Sequence, residues 1–129
     1  MKKSLLVGLV VIAVISLTGC SANTKTTSNA ASYKDGQYDV VGDYVSPGGA
    51  EQIEVKVTLK GDVITDAEVV SKAERPMSKQ FQQTFIDNYK PLVIGKKISE
   101  VNLDKVSGSS LTPKGFNDAI TKIKAEAKS

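Results

Sequence analysis

Ile53-Glu54-Val55-Lys56-Val57-Thr58-Leu59-Lys60-Gly61-Asp62-Val63-Ile64-Thr65-Asp66-Ala67-Glu68-Val69 is the stretch that decides the fold. Ile53, Val55, Val57 and Leu59 alternate with Glu54, Lys56, Thr58 and Lys60. Successive side chains of a strand point to opposite faces, so this period predicts a strand with one face on a core and the other in water. Lys60-Gly61-Asp62 predicts a tight turn, and Val63 to Ser71 returns as the second arm of a hairpin. The alternation of that arm is imperfect. Ile64 and Val70 fall on the face opposite to Val69 if the strand is regular, and a bulge near Asp66 would mend this.

Upstream, Asp35-Gly36 is a turn signal, Tyr38 to Tyr44 reads as a further strand, and Ser46-Pro47-Gly48-Gly49 is a loop. Downstream the period changes. Pro76 breaks the sheet. Met77, Phe81, Phe85 and Tyr89 recur at four-residue spacing behind Ser78, which has the chemistry of an N-cap, and Pro91 ends the segment. Leu92-Val93-Ile94-Gly95 is apolar and then turns. Ile98 and Val101 fit a short helix or an extended piece equally well. A last helix is expected from Thr112-Pro113, with Thr112 as N-cap, Pro113 at the first helical position, and Leu111 stapled to Phe116. Its apolar stripe is Phe116, Ile120, Ile123 and Ala127. The expected core sets Ile53, Val55, Val57 and Leu59 against Phe81, Phe85, Phe116, Ile120 and Ile123. The fold class is α+β: a small antiparallel sheet packed against two or three helices.

The first 32 residues have another character. Lys2 and Lys3 precede an uncharged apolar stretch, Ser4 to Leu17, which is short for a membrane span. Leu17-Thr18-Gly19-Cys20 follows, small residues ahead of a cysteine, the pattern of a lipobox. Residues 1–19 are therefore expected to be a lipoprotein signal peptide and Cys20 the lipidated residue, against the alternative of an uncleaved anchor with an incidental cysteine. Residues 20–32 lack any large apolar side chain and read as a flexible tether. Residues 33–129 suffice for one domain with one modest core. The expected location is the cell membrane, lipid-anchored on its extracytoplasmic side, with the bilayer engaged through the acyl chains on Cys20.

Composition narrows the chemistry. The chain has no histidine, so a Ser-His hydrolase is excluded. Cys20 is the single cysteine, which leaves the domain no disulfide and no cysteine metal site. Lys2 and Lys3 account for two of the 17 basic residues, leaving 15 against 14 acidic ones. That balance argues against a nucleic-acid partner. Lys122, Lys124 and Lys128 read as a solvated helix face. No catalytic residue and no metal ligand set emerges from the sequence.

The segment with chemistry is Asp104-Lys105-Val106-Ser107-Gly108-Ser109-Ser110-Leu111-Thr112. Four hydroxyls and a glycine crowd into its last six residues, at the start of a helix. Free N–H groups and the positive end of a helix dipole favour an anion there. A capped loop of small polar residues is the other reading of the same composition. Arg75, the only arginine, either pairs with such an anion or stands solvated.

The segment resembles the C-terminal signature of the FMN-binding domain found in subunits of Rnf and sodium-pumping quinone reductase complexes and in extracellular lipoproteins. The family pattern is an acid, two variable residues, Ser or Thr, then Gly-Ala-Thr or Gly-Ala-Ser. Asp104, Ser107, Gly108 and Ser110 match it, and Ser109 stands where Ala is usual. Asp35-Gly36-Gln37-Tyr38, the hairpin arm from Gly61 to Val69, and Pro113-Lys114-Gly115-Phe116 followed by Ala119-Ile120 resemble the family as well. The resemblance implies FMN as cofactor, bound near Asp104, Ser107, Gly108, Ser109, Ser110, Leu111 and Thr112. It implies that a flavin transferase can attach the phosphate of FMN to the Ser110 hydroxyl, with Asp104 serving recognition or metal-assisted attachment. The function implied is electron carriage to an unidentified redox partner. A binding or interaction module of the same fold without flavin is the alternative.

Overall fold

A computed structural model of the chain describes residues 32–129. The expected signal peptide, Cys20 and the tether up to Ala31 lie outside these residues. Three strands, β1 (Gly36–Ser46), β2 (Gly49–Lys60) and β3 (Val63–Ser71), form an antiparallel sheet in the order β1-β2-β3. Helices α1 (Pro76–Asn88), α2 (Lys90–Val93) and α3 (Thr112–Ala127) follow, with a 3₁₀ turn at Ile98–Glu100 between the last two. None of these helices is long and apolar enough to cross a membrane.

The sheet follows the sequence period closely. Ile53, Val55, Val57 and Leu59 are buried, and the residues between them are exposed or half-buried. Gly61 and Asp62 both take positive φ, 57° and 67°, as a two-residue turn of the mirror-image type requires between twisted strands. Thr58 pairs with Asp66 while Leu59 pairs with Ile64, so Thr65 is the extra residue of a bulge. That bulge lets Ile64, Ala67 and Val69 all face the core.

Helix α3 lies across the inner face over β1 and β2, and it approaches β1 closely. A Cβ on Gly42 would fall on the Gly115 carbonyl oxygen, and one on Gly115 would come within 2.6 Å of the Tyr44 ring. Only glycine at both positions allows this contact. Phe116 is fully buried against Phe85 and Tyr89 of the α1 segment, with ring centroids 5.5 and 5.6 Å away, and those two stack at 5.2 Å. On the outer edge of β1, Asp118 of α3 accepts from Asp43 N–H and Lys122 donates to the Val41 carbonyl. Lys122 also bridges Asp43 and Asp118, so it is a clasp on the edge strand and not part of a free solvated face. This pairing holds the Asp43 carboxyl below its ordinary range, with a further bond from Gln52 assisting.

Three local expectations are corrected. Helix α1 starts at Pro76 with Arg75 as N-cap, so Ser78 lies in its first turn and donates instead to Glu51. Met77 and Phe81 are 63% and 47% exposed, which removes Phe81 from the core. A spacing of four overshoots the 3.6-residue turn by about 40° per step, so a stripe that buries Phe85 and Tyr89 has rotated outward by Phe81 and Met77. The inward position one residue after Phe81 belongs to Gln82, fully buried, whose Oε1 accepts from Ser71 Oγ and Ala73 N and whose Nε2 donates to Tyr44 Oη and the Gln52 carbonyl. At α3 the N-cap is Leu111, in helical conformation, and Thr112 is the first helical residue; Pro113 and Phe116 each sit one position deeper than expected. Leu111 still packs on the core.

The sheet has two distinct ends. Ser32 and Tyr33 donate their backbone N–H groups to Asp62, and Lys34 N–H bonds the Ala127 carbonyl, so the first described residues, the β2–β3 turn and the end of α3 share one end. The β1–β2 turn and the start of α3 share the other.

Candidate functional site

The segment before α3 is built by a few local contacts. Val101 and Val106 are buried and pin it to the core. Asn117 of α3 grips Leu103 with both ends of its amide, accepting from the backbone N–H at 2.8 Å and donating to the carbonyl at 2.6 Å. Val106 and Ser109 then exchange two backbone hydrogen bonds of 2.9 Å around Ser107 and Gly108. Both of these central residues have positive φ, 48° and 88°. The turn sends Ser109 inward, leaves Ser110 exposed, and delivers the chain to α3 with Thr112 pointing inward.

A pocket of about 120 Å³ results, lined by Gly108, Ser109, Ser110, Leu111 and Thr112 from this segment and by Tyr44, Ser46, Ser78 and Phe81 from β1 and α1. Five of the seven residues expected at the site therefore converge. Ser107 is exposed at the top of the turn, and Asp104 is exposed in the preceding segment; neither lines the pocket. The four partners from β1 and α1 were not expected there. Phe81 carries the one signal a sequence could give, an aromatic rotated out of phase with the buried stripe. Tyr44, Ser46 and Ser78 are brought in by tertiary packing alone.

The polar groups of the pocket divide into committed and free. Ser78 Oγ donates to Glu51 Oε1 at 2.6 Å, and Arg75 Nη1 meets the same oxygen at 2.8 Å. Ser78 thus offers a ligand only its lone pairs, and Arg75 is engaged outside the pocket. Ser46 Oγ donates to the Gly49 carbonyl, and Tyr44 Oη accepts from Gln82. Ser109 Oγ and Thr112 Oγ1 differ: each residue is 1% exposed and neither oxygen has a hydrogen-bond partner. An unmet buried hydroxyl is destabilising, so two of them on residues that line one pocket leave bonding capacity there for a ligand to meet. The N–H groups of Ser110, Leu111 and Thr112 precede the first full helical bond, so α3 supplies them no acceptor. No Lys, Arg, Asp or Glu lines the pocket. Its field is that of hydroxyls, N–H groups and the positive end of the 16-residue helix α3.

Larger concavities lie elsewhere and are a poorer match. One of about 510 Å³ is bordered by Asp43, Glu51, Lys72 and Arg75, each in an ion pair within the chain, and by Glu74. Another, of about 490 Å³, lies near Gln37, Lys56 and Glu68 and is an open, charged stretch of surface. Neither holds an orphaned buried oxygen.

The fold and pocket define a small α+β module with a phosphate-sized, hydroxyl-lined seat at a helix N-terminus. Residues 48–124 match the FMN-binding domain family, and the chain belongs to that family. No curated protein and no solved structure matches it. The matched span takes in every pocket residue except Tyr44 and Ser46. The residues present fit the phosphate end of FMN. At about 120 Å³ the pocket is smaller than the roughly 300–1,000 Å³ of a site that engulfs an organic ligand, so it has room for the phosphate and not for the ring system.

Proposed function

We propose that this protein is a lipid-anchored, extracytoplasmic flavoprotein that carries electrons, with the FMN phosphate seated at the start of α3 and esterified to Ser110. The observation that carries the reading is the pair of buried, unpartnered oxygens, Ser109 Oγ and Thr112 Oγ1, at the N-terminus of α3, with an exposed serine between them in sequence. Ser109 and Thr112 donate to phosphate oxygens, and the N–H groups at the start of α3 neutralise part of the charge. Ser110, exposed and lining the same pocket, is reachable by a flavin transferase, which is the first partner of this reading. Bound FMN supplies the redox chemistry that a chain without histidine cannot. Cys20 holds the protein to the bilayer through its acyl chains, and a redox partner exchanges electrons with it.

The test is export of the full chain together with a flavin transferase, followed by intact mass and peptide mapping. An FMN adduct is expected on the peptide containing Ser110. It should vanish in Ser110→Ala and persist in Ser110→Thr. An adduct at full yield on Ser110→Ala moves the attachment point elsewhere. If no adduct forms and no flavin binds, while the transferase modifies a control substrate, the chain is a cofactor-free interaction module.

A further inference from the structure

We propose that Phe81 is the surface on which the flavin ring packs, and so the residue that lets this site distinguish a flavin from a bare phosphate. The inference rests on the reading of the pocket as an FMN phosphate seat. It begins with the amphipathic build of that pocket. Ser109 and Thr112 line it with buried, unpartnered hydroxyls, while Phe81, 47% exposed, and the partly buried Leu111 supply apolar lining. The seat has no volume for a three-ring system, so the ring must lie against whatever apolar surface adjoins the mouth.

Phe81 is the aromatic that can serve. Phe85, Tyr89 and Phe116 are fully buried and packed on one another. Tyr44 lines the pocket, but it is 8% exposed, with its hydroxyl tied to Gln82 and its ring pressed against Gly115. Tyr33 and Tyr38 belong to the opposite end of β1. Phe81, by contrast, is not needed by the core, and Met77 stands one turn before it, 63% exposed. Together they make an apolar strip along α1 leading away from a polar seat. An exposed aromatic beside such a seat gains by being covered with a flat, apolar ring.

The experiment uses the full chain carrying FMN on Ser110 and reads the flavin fluorescence lifetime. Phe81→Trp sets an indole where the phenyl stands, and an indole in contact with a flavin quenches its excited state by electron transfer. The lifetime should fall severalfold in Phe81→Trp and stay at the wild-type value in Leu92→Trp, a control on α2 that lines no pocket described above. In parallel, unflavinylated Ser110→Ala protein is titrated with FMN and with inorganic phosphate. Adding Phe81→Ala should weaken FMN binding about tenfold, the scale of one lost aromatic stack, and leave phosphate binding unchanged. Because Phe81 is half-exposed, these variants should keep the wild-type denaturation midpoint. An unchanged lifetime in Phe81→Trp on a protein that does carry the adduct overturns the assignment of Phe81 and leaves the phosphate seat standing. Equal loss of FMN and phosphate affinity overturns it too. A wild-type chain that takes up no FMN overturns both.

Discussion

Ser109 occupies a position where its hydroxyl is a liability to the empty domain and, on the proposed reading, an asset to the loaded one. A methyl group would be the better occupant of a site 1% exposed with no bonding partner. Ser109→Ala should therefore stabilise the unliganded protein by about 1 kcal/mol, read as a shift in urea midpoint at constant slope. The same change should weaken inorganic phosphate binding roughly tenfold, since it removes a donor to an anion. If phosphate affinity holds while stability rises, the hydroxyl does not face the ligand. Tyr89 poses a related question in the core. Its hydroxyl is buried without a hydrogen-bond partner, and burial, helped by the negative charges of Asp66 and Glu68 and opposed by the Val69 backbone, pushes its pKa up to about 12. The folded state thus prefers the neutral phenol. Stability from this preference is complete below the unfolded value near 10 and is lost as pH rises from about 10 to about 12. Tyr89→Phe should flatten that part of the alkaline stability profile and be neutral or stabilising at pH 7; an unaltered profile would contradict the burial argument.

At the scale of elements, the strands and the inward stripe of α3 were legible in the sequence, and the phase of α1 was not. Alternation is a local property with a period of two, so Ile53 to Leu59 declares its inner face without help from the rest of the chain. Even the irregularity of β3 was visible, because a broken alternation beside Asp66 has one economical remedy, and Thr65 supplies it. Helical phase drifts, and four residues per step is ambiguous about which members of a stripe point inward. Gln82 settled it by taking an inner position through five hydrogen bonds that no periodicity announces. The consequence for stability is testable. Phe116→Ala, at a fully buried position packed on two rings, should lower stability by about 3–5 kcal/mol. Phe81→Ala should leave the denaturation midpoint close to wild type. Comparable losses for the two would restore Phe81 to the core. Thr112 shows the other limit of local reading. Thr-Pro suggested a cap, yet the chain already turns helical at Leu111, and the threonine hydroxyl is left for something else to satisfy.

Across the whole molecule, the resemblance carried by Asp104 to Thr112 pointed to the family whose pattern residues 48–124 match. The remaining walls of the pocket, Tyr44, Ser46, Ser78 and Phe81, come from positions 23 or more residues before Asp104, so no local motif could contain them. They meet the serine turn because Gly42 and Gly115 let α3 lie directly on β1.

The two ends of that sheet set an orientation. Ser32 is tied to Asp62 and to Ser129 just past α3, while the pocket lies beside the β1–β2 turn, and the 11 residues of β1 between them span roughly 35 Å. On the proposed reading, with Cys20 in the outer leaflet and FMN on Ser110, the flavin would point toward the exterior, like a lamp held away from the wall by its bracket. An acceptor dissolved in the surroundings would meet it head-on, whereas a reductase embedded in the bilayer would need the domain to tip over. The tether expected from the polar composition of residues 21–31 would then be the slack for tipping. Deleting about half of them should slow electron delivery from a membrane-embedded donor while leaving reduction by a soluble donor at its original rate.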